Sequence, residues 1–281
     1  MTTNLWRGLA LLWLGAASPL LSLDASADDQ AHGDPAHRPA AVGAAAPASD
    51  AARIELVAPS EVVGRPLRDP SGAPAGTIRN LVVDVGSGAI AFALVGTPQS
   101  GDSVAAIPWS ALHAPADVRR PALVDAAAAR VAAAPHIALA DTAEALSPAA
   151  AASARAWFAA PAPPHPAELV PVNRMIGTLV YAADDSETVG AVDQVMLDLR
   201  RGHVAYCVVS RDAGFRTWIP VPFAALAWSP DLGDFTFRRD VSAMERAPIL
   251  PVERAVAATS ATDLGALYRS FGVAAYWQPS G

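Results

Sequence analysis

Residues 82–95 read VVDVGSGAIAFALV and residues 196–209 read MLDLRRGHVAYCVV. Asp84 and Asp198, Gly88 and Gly202, and Phe92 and Tyr206 occupy matching places in the two stretches. The match extends well beyond them. Gly64 corresponds to Gly177 and Gly76 to Gly190; Asp84 precedes Pro108 by 24 residues, as Asp198 precedes Pro222, and Leu112 then answers Leu226. Spacing kept across so many points marks a tandem duplication, so the chain must fold as two versions of one unit.

Each copy reads as short β-strands. GRPLRD and GTLVYA alternate in polarity, and polar turns (PSGAPAG, ADDSETVG) follow. The next strand runs into Asp84 or Asp198, turns at Gly88 or Gly202, and an apolar strand returns. Glycine supplies the positive φ of such a turn, and the aspartate accepts turn amides. By period two, Ile90, Phe92 and Leu94 should share a face, as should Val204, Tyr206 and Val208. A further strand ends at IPWSAL or VPFAAL, where an aromatic directly after proline is placed to plug the end of a barrel.

Helical tails close both copies. Asp125 is the expected cap of AAAARVAAA, and Asp240 that of VSAMERA. Ser147-Pro148 opens AAAASARAWFAA, and Ser260 with Asp263 opens LGALYRS, which stops at Gly272.

The order Ile/Val-Gly, a turn ending in Gly, Val-x-Asp-x-x-x-Gly, an apolar strand, Pro-aromatic-x-x-Leu and Ala-Pro resembles the PRC-barrel. That small β-barrel is shared by the cytoplasmic part of the photosynthetic reaction-centre H subunit and a ribosome-maturation factor. The pattern covers about 61–135 and 173–248; the second copy departs from it with Pro222-Phe223 and Arg200-Arg201, where the first has Trp109 and Gly86-Ser87. The resemblance implies a mainly β fold of two tandem small barrels with helical tails, and a docking role rather than catalysis.

Residues 1–27 carry Arg7, the apolar run LALLWLGAASPLLSL and the small-residue site Ala25-Ser26-Ala27. This is a secretory signal layout, with an apolar run short for a bilayer span and broken by Pro19; an uncleaved anchor is the alternative. The expected organisation is a signal peptide at 1–27 cleaved near Ala27, and a disordered Ala/Pro-rich tether at 28–53. A first unit with its helical tail follows at 54–160, then a Pro-rich linker at 161–171 and a second unit with tail at 172–281. The mature chain would be periplasmic or secreted and carry no transmembrane helix.

The chemistry is sparse. Formal net charge is −7, and all 20 basic residues are arginine. That balance argues against nucleic acid, which needs a basic face. The single cysteine, Cys207, allows no internal disulfide and reads as a packed apolar residue. Asp84 and Asp198 read as turn caps, and Asp184, Asp185 and Glu187 as a solvated turn rather than a calcium loop. His32 and His37 read as part of a solvated linker, with a weak metal-binding tract as the alternative; His113, His136, His165 and His203 lack metal-ligand spacing, and no nucleophile, phosphate-loop or zinc-protease motif occurs. No catalytic residue, metal or cofactor is therefore expected. Aromatics remain as the candidate partner surface: Trp218, Trp228, Trp109 and Phe223. The expected function is a non-catalytic docking or assembly module of the bacterial envelope that holds a protein partner, a membrane complex among the candidates, in the cleft between two barrels. A binder of a small hydrophobic ligand at the membrane surface is the alternative, and an enzyme the less favoured one.

Overall fold

Residues 53–114, 120–142, 146–184, 187–211, 218–247 and 259–278 are described by a computed structural model. The expected signal peptide (1–27) and nearly all of the expected tether (28–53) lie outside them. The fold is mainly β with a large mixed sheet, and the first half builds its share in chain order. β1 (Arg53–Ile54), β2 (Pro66–Arg68), β3 (Pro74–Asp84), β4 (Ala89–Gly96), β5 (Ser103–Pro108), β6 (Leu112–His113) and β7 (Ala122–Val124) precede α1 (Ala128–Ala132), β8 (His136–Ala138) and α2 (Pro148–Phe158). The second half follows with β9 (Leu169–Pro171), α3 (Val172–Met175), β10 (Leu179–Tyr181), β11 (Thr188–Asp198), β12 (His203–Ser210), β13 (Trp218–Pro222), β14 (Leu226–Ser229) and β15 (Asp234–Phe237). It ends with α4 (Ser242–Glu245), β16 (Thr259–Ser260) and α5 (Ala261–Ser270).

The ladder order within the first half is β6-β7-β2-β3-β4-β5, and within the second β14-β15-β10-β11-β12-β13. These are one order written twice, including the parallel pairs β2/β7 and β10/β15. Among the described residues the two ladders join through β4 and β12 into one 14-stranded sheet that does not close into a barrel. The expectation of closed barrels therefore meets an open ladder.

The irregularities are duplicated too. In the β3/β4 hairpin, Val82 faces Phe92 while Val83 faces Ile90, so Ala91 is an extra residue. In β11/β12, Met196 faces Tyr206 and Leu197 faces Val204, which makes Ala205 the extra residue. A bulge of this kind throws the following side chains to the other face. The expected shared face of Ile90, Phe92 and Leu94 is thus corrected: Phe92 and Leu94 pack with Val82, Val104 and Ala151 beneath α2, while Ile90 belongs to the larger core.

The segment that leads into each copy pairs with the other copy. Val57 exchanges both backbone hydrogen bonds with Leu197 on β11, at 3.0 and 2.9 Å. Reciprocally, β9 runs antiparallel to β3, with Val83 facing Val170 and Asp84 facing Leu169. The tails repeat the exchange: β16 lies on β1, and the Leu146 amide donates to the Leu169 carbonyl at 2.9 Å. Asn80 on β3 donates to Asn173 of α3 at 2.7 Å, fastening the leading segment of the second copy to the first. Ile54, Leu56, Val57, Leu169 and Val170 are all buried. Each leading segment gains its free energy from apolar area covered in the opposite half.

Three helix starts are capped in two ways, by the expected residue or by a distant one. Ser147 caps α2 through the Ala150 amide, and Asp240 accepts the Ser242 amide at 2.9 Å before α4. Asp125 does not cap α1. It binds His113 Nε2 at 2.7 Å, and the Ala128 amide at the first position of α1 donates instead to Asp69 Oδ2 at 3.1 Å. Asp69 also accepts from Ser71 Oγ and from the Ser71 and Ala73 amides, and these donors hold its carboxyl below the usual carboxylate range, the Ser71 hydroxyl foremost. Among the described residues no helix is long and apolar enough to cross a membrane.

Candidate functional site

The tips of the two long hairpins meet. The Ile90 amide donates to the Gly202 carbonyl at 2.7 Å, the Val204 amide donates to the Gly88 carbonyl at 2.8 Å, and Ala89 faces His203 across the junction. The turn glycines allow this approach. Gly88 (φ 81°) and Gly202 (φ 61°) occupy the left-handed region, and neither has room for a side chain. A Cβ on Gly88 would stand 2.7 Å from His203 Cε1 and 2.7 Å from Phe223 Cδ1; one on Gly202 would overlap Trp109 Cδ1 and Nε1. Each copy's post-proline aromatic therefore lies on the other copy's turn glycine. These aromatics seal the seam between the copies, where the sequence reading placed them as plugs of their own barrels.

The four aromatics of the expected partner surface separate accordingly. Phe223 is 3% exposed and makes an edge contact with Phe235 at 6.0 Å. Trp109 is half-buried in the same seam, on the opposite side of the exchange. Trp228 lies on β14, edge-on to Phe235 at 5.0 Å, and Trp218 is half-buried at the start of β13, facing Ser210. Phe235 thus links Phe223 and Trp228, whereas Trp218 stands apart from them at the start of β13.

Beside the seam, the two turn aspartates have different surroundings. Asp198 is 1% exposed. Its Oδ1 accepts the Arg201 amide, and its Oδ2 accepts Arg201 Nη1 at 3.0 Å and the Tyr276 hydroxyl at 2.9 Å. Tyr276 stacks flat on His203, with centroids 4.4 Å apart and planes 6° from parallel. Trp277 covers Tyr276 and Tyr268 edge-on at 4.8 and 5.0 Å, while the Tyr268 hydroxyl donates to the Ala205 carbonyl. Burial, reinforced by the Asp198 charge, pushes the Tyr276 phenol well above its ordinary value. Burial pulls His203 below its ordinary value, against the opposing pull of the Val204 and Ser87 carbonyls and Asp198. It also raises the Cys207 thiol to about 12, which keeps it protonated and unreactive at neutral pH.

Asp84 is only half-buried and opens onto a groove of about 580 Å³. Its Oδ1 accepts the Gly86 amide at 3.2 Å and its Oδ2 the Ser87 hydroxyl at 2.7 Å. Trp109, Arg155, Pro163, Pro164 and Arg201 form much of the wall. The Arg155 guanidinium lies 4.7 Å over the Phe92 ring; burial lowers its pKa and the Asp84 charge opposes that shift. Sequence reasoning identified the aspartates and Trp109 but gave no role to Arg155 or Tyr276. The signal for Tyr276 lay in a comparison of the two tails, where one ends in Tyr-Trp and the other in Pro-Pro.

The groove is chemically a recognition surface: an acceptor, two guanidinium groups, and flat apolar walls. Compared with known proteins, the chain matches no family model and no curated protein.

Proposed function

We propose that this chain is a non-catalytic docking or assembly module of the bacterial envelope, derived from two fused PRC-type units and exported by its N-terminal signal. The observation that carries the reading is how the ionisable side chains around the seam are used. Asp198 accepts from Arg201 and Tyr276, Asp84 holds its own turn, His203 is stacked under Tyr276 with its pKa lowered by burial, and Cys207 is a core residue whose thiol burial raises to about 12. Catalytic centres place groups of shifted pKa where substrate reaches them; here Tyr276, His203 and Cys207 lie beneath other side chains, and of the shifted groups beside the seam Arg155 alone lines the open groove.

The PRC assignment rests on the motif order within each copy, and the strand order written twice supports the duplication. Exposed apolar side chains, among them Leu232, Leu179 and Ile176 in the second half, and the half-buried Trp218 and Trp228 are surface that a partner can cover.

Affinity capture from the envelope with the purified chain as bait tests the proposal. One specific partner, lost when Trp218 and Trp228 are both changed to alanine in a folded protein, is the expected result. Capture unchanged by that pair removes these aromatics from the site. Turnover of an envelope substrate by the purified chain overturns the non-catalytic reading.

A further inference from the structure

The two halves supply an internal comparison. Asp84 answers Asp198, Ala89 answers His203, Pro108 answers Pro222 and Trp109 answers Phe223. The helices α2 and α5 each end in a left-handed residue, Ala159 (φ 54°) and Gly272 (φ 62°). Four residues beyond these stops stand Pro163 in the first half and Tyr276 in the second, followed by Pro164 and Trp277. In the second half the Tyr276 ring fills the space over the turn aspartate and gives its hydroxyl to the carboxylate. In the first half Pro163 and Pro164 run along the same groove, but no ring covers Asp84 and its hydrogen bonds come from its own turn, the Gly86 amide and the Ser87 hydroxyl, and the groove stays open at about 580 Å³.

We propose that this groove is a binding site for a small hydroxylated aromatic molecule, which takes the place in the first half that the Tyr276 side chain takes in the second and donates its hydroxyl to Asp84. Each property of the ligand follows from the wall. Residues 161–165 line the groove as the tail of the first half, and in the tail of the second half the corresponding place is taken by the Tyr276 ring, so the ligand's bulk is a ring. A carboxylate only accepts, so the ligand must present a donor. The guanidinium groups of Arg155 and Arg201 line the groove and disfavour an ammonium, which leaves a neutral donor, and the donor that Asp198 accepts in the second half is the Tyr276 hydroxyl. Arg155 also offers a cation to the face of an aromatic ring, as it does to Phe92. Ala89 is smaller than its counterpart His203, so the first half has more room beside the aspartate and admits rings larger than phenol. The inference goes beyond the docking reading and is tested without any protein partner.

The probe is 4-methylphenol, which is the tyrosine side chain itself, titrated to about 10 mM because so few atoms bind weakly. The Trp109 indole N–H resonance, assigned with Trp109→Phe, reports occupancy. A saturable shift is expected, and 4-methylanisole, identical but with the hydroxyl methylated, should bind at least about tenfold more weakly, the loss of one hydrogen bond to a charged acceptor. Pro163→Tyr should fill the groove from within and abolish the saturable shift. Should that variant fail to fold, Ala162→Trp blocks the same space from the neighbouring position and must give the same loss. No saturable shift with 4-methylphenol, equal binding of 4-methylanisole, or undiminished binding in a folded, blocked variant overturns the assignment.

Discussion

Replacing Gly202 by alanine isolates the contact that joins the two copies. Two costs combine. At φ 61° an alanine gives up about 1–2 kcal/mol in the left-handed region, and its Cβ overlaps Trp109 Cδ1 and Nε1, an overpacking worth about 1–3 kcal/mol. The sum is about 2–5 kcal/mol. Gly88→Ala should behave alike, with its Cβ meeting Phe223 and His203 at 2.7 Å. Gly64 (φ 87°) and Gly177 (φ 87°) are the controls, because nothing lies within 4 Å of a Cβ there. Alanine at either should cost only the backbone part, about 1–2 kcal/mol. Urea denaturation of the four single variants gives the comparison. A Trp109→Ala background should then recover the steric part of the Gly202→Ala loss, so the double variant is more stable than additivity allows by about 1–3 kcal/mol. If Gly202→Ala costs no more than Gly64→Ala, or if Trp109→Ala leaves its effect unchanged, the reciprocal seam described above is wrong.

Three further outcomes follow from single side chains. Tyr276→Phe removes one donor to the buried Asp198 and should cost about 1.5–3 kcal/mol in urea denaturation, with the His203 stack retained. Ala159→Gly relieves a left-handed alanine at the end of α2 and should stabilise by about 0.5–1 kcal/mol, read as a raised thermal midpoint. His203 has a depressed folded pKa, so the unfolded chain binds its proton first as pH falls; its stability contribution is full above about 6.5 and is lost as pH falls from there through the folded value. Urea midpoints between pH 7.5 and 5 should show this decline, and His203→Gln should flatten it.

The duplication was legible because it is carried by punctuation: glycines, prolines and aspartates at fixed intervals determine where strands must turn, and both halves turned there. Asp84 and Asp198 bind their turns as their positions suggested. What stayed hidden is non-local or compensated. Ala91 and Ala205 are bulges inside apolar runs, and an extra apolar residue among apolar neighbours leaves no mark on the pattern. Asp69 caps a helix 59 residues away because the parallel pairing of β2 and β7 brings the two segments together, whereas Asp125, the nearer candidate, is drawn to His113. The exchange of leading segments depends on the join between β4 and β12, which rests on two glycines with the room to meet. The Asp84 groove was visible only as a difference between two tails whose ends share no residue type.

The measurement that bears most directly on the exchanged, doubled architecture is a through-hydrogen-bond NMR correlation on the purified chain. The Val57 amide should correlate with the Leu197 carbonyl and the Leu197 amide with the Val57 carbonyl. Both should persist when labelled chains are diluted into unlabelled ones, as bonds within a single molecule require. A Val57 amide that exchanges freely with solvent, or one bonded within its own half, would contradict the account.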